Sequence, residues 1–133
     1  MEKPWDLRER TILFVVSVIR FCRQLPKTRE AAEIASQLRR VGGSVGAQYA
    51  ASRRNKSDKD FISKISGAIE EGDEAVYWFD VLARSEIARE ESVRPLRGEA
   101  NELVAIFVAS RSTAIERQQR KTEDGRRKTE KRQ

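Results

Sequence analysis

The densest group of chemically capable side chains in this sequence is the run "EEGDE", which places Glu70, Glu71, Asp73 and Glu74 within five residues. Carboxylates at three- and four-residue spacings share a helix face, where they can serve as general bases or hold a metal inside a helical bundle. The chain contains no histidine, so the Glu-x-x-His partner of such metal sites is missing and any general base would be a carboxylate or a lysine. Arg39 and Arg40 offer these acids a simpler role. If helices on either side of residues 55 and 56 fold back as an antiparallel hairpin, paired positions sum to about 111 and both arginines lie level with the acids. An interhelical ion-pair network is therefore expected, with phosphate ligation by the arginines as its rival. No catalytic residue, cofactor or metal is expected.

A second cationic group, Arg53, Arg54 and Lys56 in "SRRNK", falls at the tip of that hairpin and is a candidate nucleic-acid contact. A third comprises Arg126, Arg127 and Lys128 near the C-terminus. From Gln119 onward there are seven cations against three anions, a net +4 out of the +6 of the whole sequence. The basic character is thus concentrated in one segment, and the isoelectric point of about 9.8 says little about the remainder.

The elements that position these groups read as four helices. The first covers about Asp6 to Leu25, with Ile12, Val15, Val16, Ile19 and Cys22 on one stripe and Phe14, Val18, Phe21 and Leu25 beside it. Pro26 stops it and can open the second, which runs to about Arg53 with Ile34, Leu38, Val41, Val45 and Tyr49 at helical spacing. "SDKD", Ser57 to Asp60, reads as a capping box that starts the third helix at Phe61, and its apolar stripe continues to about Arg84. Ser92 and Pro95 mark the start of the fourth, lined by Leu96, Ala100, Leu103, Phe107 and Ala114 and ending near Arg117. No segment alternates as a strand does. The expected fold is all-α, an antiparallel up-down four-helix bundle over residues 1–118 followed by a disordered basic tail over residues 119–133, which has no apolar residue to bury.

The second helix contains "GGSVGA" although glycine costs about 1 kcal/mol relative to alanine in a helix interior. At about 100° per residue, Gly42, Gly43, Gly46 and Ala50 form a small-residue face beside the large apolar one, and Arg39 falls in its middle. Close approach of another backbone, from a sister helix or another subunit, is expected there. A phosphate-binding loop is disfavoured, because neither a preceding strand nor the Lys-Ser/Thr of a P-loop is present. Cys22, the single cysteine, is expected as a small buried hydrophobe, which excludes a disulfide framework. The apolar run "TILFVVSVI" is too short to span a bilayer and lacks the flanks of a signal peptide, so a cytoplasmic protein is expected.

The segments "SQLRR", "GGSVGAQY", "SRRNKSDKDFISKI", "EEGDEAVYW" and "EANELVAIFVASRSTA" resemble, in order and spacing, the four-helix bundle protein family, also called 23S rRNA intervening-sequence or S23 ribosomal proteins. Arg40, Gly46, Tyr49, Glu71, Glu74 and Trp78 fit its pattern, whereas Gln48 stands where the family usually has Asn. The resemblance implies a bacterial protein forming a homopentameric ring of such bundles. No molecular activity is established across the family, but a related retroelement accessory protein of similar fold binds nucleic acid, and together with the basic segments this makes a nucleic-acid-associated binding or scaffold role, with RNA or DNA, the expected one. A self-assembling scaffold for an unidentified protein partner, without nucleic-acid binding, is the alternative.

Overall fold

The computed structural model describes residues 4–132, with side chains from Asp6 onward. Four helices follow one another: α1 Pro4–Arg23, α2 Arg29–Ser52, α3 Asp58–Arg84 and α4 Glu90–Arg132. They pack α1 on α2, α2 on α3 and α3 on α4, and α1 closes the bundle against α4 along its least extensive side. Antiparallel directions follow from the facing pairs Val18 with Gly42, Arg40 with Glu74, and Arg117 with Asp58.

Helical spacing dictates which side chains meet. Leu7, Thr11, Phe14, Val18 and Cys22 from α1 enter the core with Leu38, Val41, Val45 and Tyr49 from α2. Ile65, Ala68, Phe79 and Leu82 from α3 and Val93, Leu103 and Phe107 from α4 complete it. Each large apolar side chain so buried contributes about 1.5–3 kcal/mol. Phe21 meets Phe79 edge to face at 5.7 Å, and Tyr49 stacks on Phe107 at 5.5 Å. The hydroxyls carried inside are satisfied locally, Thr11 donating to the Arg8 carbonyl and Ser52 to that of Tyr49.

The α1 core face is the Phe14–Val18 stripe together with Cys22. Ile12 and Ile19, expected on the buried stripe with Val15, Val16 and Cys22, are 40% and 37% exposed. The reason is that α1 is apolar on two adjacent faces and the bundle can cover only one. The helix starts also differ from expectation. Thr28, not Pro26, caps α2 by accepting from the Ala31 N–H, and Ser57 caps α3 at Asp58, three residues before Phe61. Asp60 accepts from the Lys56 N–H, one residue earlier than a reciprocal capping box requires. α4 starts at Glu90, so Ser92 and Pro95 lie inside its first two turns.

The largest departure concerns residues 119–132, expected to be disordered. They are helical and continue α4, which is 43 residues long. All of them are exposed, so the expectation that they bury nothing stands while the expected loss of structure does not. A helix already nucleated upstream adds residues at little cost, and the Gln, Arg, Lys and Glu of this segment are good helix formers. Lys131 and Arg132 in the last turn suit the negative end of the helix dipole.

Candidate nucleic-acid interface

One end of the bundle collects the cations that the sequence distributes over two segments. The α2–α3 turn carries Arg53, Arg54 and Lys56, all exposed. Antiparallel packing brings α4 past the same turn, where Arg117 Nε donates to Asp58 Oδ1 at 2.9 Å and Lys121 Nζ donates to Asp58 Oδ2 at 2.9 Å. These bonds hold the Asp58 carboxyl below the usual carboxylate range, Arg117 having the larger effect. Asp58 is the first residue of α3, where the helix dipole also favours an anion. A depression lined by Arg53, Asn55, Asp58, Phe61, Ser110 and Arg117 lies between the turn and α4. Beyond it α4 runs on for about 21 Å, at 1.5 Å per residue, and carries Arg126, Arg127 and Lys128, all exposed. The clamp by Asp58 was not legible from the sequence, where this residue reads only as part of a helix cap; the antiparallel pairing of α3 with α4 was the one signal for it.

The Arg40 cluster is a different kind of site. Arg40 Nη2 lies 3.1 Å from Glu74 Oε1 and Nη1 lies 4.0 Å from Glu71 Oε2. Glu71 Oε2 is buried without a hydrogen bond, as is Trp78 Nε1 two turns further along the same face. Burial first, and the neighbouring Glu74 second, push the Glu71 carboxyl up, against the pull of Arg40. Arg39 takes no part. It sits about 100° round the helix from Arg40 and so turns towards α1, where its guanidinium interacts with the Cys22 thiol and pairs with no acid among the described residues, and Glu70 is exposed. The expected network of both arginines with the acids is thus confined to Arg40, Glu71 and Glu74. Among the described residues, no group of three or more His, Cys, Asp or Glu side chains is disposed to hold a metal.

The small-residue face of α2 receives α1 of the same chain. A Cβ on Gly42 would stand 3.3 Å from Val18 Cγ1, and one on Gly46 would stand 3.1 Å from Val15 Cγ2. Gly43 has open space above it, and Ala47 and Ala50 beside it are exposed. Ile12, Val16 and Ile19 of α1 stand three, one and four positions from Val15, whose side chain meets Gly46, so by helical spacing they continue the apolar surface outward from that contact. Two further glycines serve close contacts the sequence did not reveal: Gly67 lies under the Gln48 amide and Gly72 under Val104. The longer amide at position 48 therefore has its own seat on α3. α1 is fastened to α4 by Arg10, whose guanidinium binds Glu99 through two 2.7 Å bonds and also contacts Glu102.

Among the described residues, no helix is long and apolar enough to cross a membrane. No curated protein matches the chain. A crystal structure of a protein of unknown function from the S23 ribosomal protein family of Bacteroides thetaiotaomicron VPI-5482 superposes with a TM-score of 0.77 at 22% identity, over 84% of this chain and 99% of that one. That likeness establishes the fold. The family model of the 23S rRNA-intervening sequence proteins matches residues 4–109, which takes in α1 to α3 and α4 as far as Ala109; the chain belongs to that family.

Proposed function

We propose that this protein is a non-catalytic, self-associating bundle of the bacterial cytoplasm that binds nucleic acid with its basic end. The observation that carries this reading is the placement of Arg53, Arg54 and Lys56 at the same end as the cationic part of α4. Exposed cations without an aromatic side chain among them suit phosphates and give little base reading, so binding tolerates sequence and weakens steeply with salt. Self-association rests on the outer α1–α2 face, where Ile12 and Ile19 are solvent-exposed on the same side of α1 as Val15, which meets the small residues of α2. The family resemblance makes a pentamer the expected assembly, and five basic ends on one ring would act together.

The test compares the full chain with one ending at Arg117, titrated with single-stranded and duplex RNA and DNA at two salt concentrations. The full chain binds at low salt and loses affinity steeply at high salt, and the shortened chain binds more weakly. Absence of binding by both at low salt would overturn the nucleic-acid role. The exposed α1 side chains would then favour the second reading, a self-assembling scaffold for a protein partner.

A further inference from the structure

The helical state of residues 119–132 sorts their charges, which a disordered tail would not. At about 100° per residue, Arg120, Lys121, Arg127, Lys128, Lys131 and Arg132 fall within an arc of about 140° on one side of α4. Arg117 continues this stripe back into the bundle, and Asp124 is the only acid within it. Glu123 and Glu130 lie on the opposite side with Arg126, Thr122 and Gln119. The direction of the stripe is fixed by its own members: Arg117 and Lys121 both reach Asp58 at the first turn of α3. Carried along a straight helix, this side continues past the end of the bundle that holds the α2–α3 turn with Arg53, Arg54 and Lys56. The surface is therefore an inner corner, with the α2–α3 turn as one wall and the basic side of α4 as the other.

From this geometry we infer that the corner seats the phosphate backbone of a double-stranded nucleic acid, a statement that rests on the nucleic-acid reading above and narrows it. A duplex presents its phosphates at fixed positions along a stiff rod, and the stripe is a row of cations on a stiff support of about 21 Å. A flexible single strand gains nothing from that rigidity and is held elsewhere by stacking on rows of aromatic rings; the ring lining the corner's floor, Phe61, is partly buried against the core and provides no such row. The two glutamates on the outer side face away from the phosphates, so contact is one-sided. The phosphates of RNA and DNA duplexes share this chemistry.

The test moves charge from one side of the helix to the other at constant net charge. In the full chain, Arg120→Glu, Glu123→Arg, Lys128→Glu and Glu130→Lys are combined, with circular dichroism to verify that helix content is kept. Titration uses a 20-base-pair DNA duplex, the matching RNA duplex and the corresponding single strands, over a salt series. We expect both duplexes to bind the parent more tightly than single strands. The rearranged chain should lose at least ten-fold in duplex affinity, and its salt slope should be shallower by about two or more phosphate contacts. A second variant, Gly125→Pro, breaks the helix midway without changing charge and should likewise lose duplex affinity. If both variants bind duplexes as the parent does, the segment acts as an unstructured polycation and the inference falls while nucleic-acid binding stands. Preference of the parent for single strands also overturns the inference alone. Failure of the parent to bind any of the four overturns the function itself.

Discussion

Gly72 of α3 lies directly under Val104 of α4: a Cβ at Gly72 would stand 2.5 Å from Val104 Cγ2. The α3–α4 contact is therefore set by the absence of a side chain. Gly72→Ala should destabilise by about 1–3 kcal/mol through overpacking, against alanine's better helix propensity of about 1 kcal/mol. Gly43→Ala, with nothing within 4 Å of the new methyl, should stabilise the isolated bundle by about 1 kcal/mol. Denaturant unfolding of both variants checks the contrast, and equal effects would contradict the packing.

Glu86 sits in the turn between α3 and α4 with φ 62, the left-handed region, and its N–H donates to the Ala83 carbonyl at 3.1 Å. An L-residue there costs about 1–2 kcal/mol relative to glycine, part of which glycine's freer unfolded chain gives back. Glu86→Gly should raise stability by about 1 kcal/mol, read as an upward shift of the thermal midpoint.

The two perturbed carboxyls predict opposite pH behaviour. Glu71 is raised, chiefly by burial, so the folded state binds a proton more readily than the unfolded one and stability falls as pH rises through that window. Glu71→Gln should be more stable than the parent at neutral pH, with the difference closing under acid conditions. Asp58 is lowered by Arg117 and Lys121, so its contribution is present above the unfolded pKa and lost as pH falls through the folded one. Asp58→Asn should be less stable than the parent at neutral pH and equal to it in acid. Melting curves across a pH series distinguish the two signs.

Replacing Ile12 and Ile19 together by Glu places charge on the outer α1–α2 face and leaves the core untouched. Light scattering should report several subunits for the parent and one for the variant, with unchanged helix content. A monomeric parent at micromolar concentration would refute self-association.

The core was legible wherever one apolar stripe stood against a polar background, as for Leu38, Val41, Val45 and Tyr49. In α1 two apolar stripes compete, and periodicity alone does not say that Phe14 and Val18 face inward while Ile12 and Ile19 do not. The glycines of α2 announced close packing, but their partners, Val15 and Val18, became visible only in three dimensions. The same holds for Gly67 with Gln48, because a single glycine in a helix names no neighbour. The helical state of the basic end of α4 departs from the expected disorder for a physical reason. Helices are read from apolar periodicity, and a segment that buries nothing has none, although propagation from an existing helix needs no burial.

Because α4 passes from the bundle into its basic end as one helix, the azimuth of the cations is locked in phase with the core residues Leu103 and Phe107. Inserting one residue between Ser112 and Arg117 would advance everything beyond it by about 1.5 Å and turn it by about 100°, aiming the charges away from the bundle end. Four inserted residues would return the original bearing to within about 40° while pushing the charges about 6 Å outward. Duplex affinity should thus oscillate with insertion length, as in a torsionally rigid shaft, instead of declining smoothly as it would with a flexible tether.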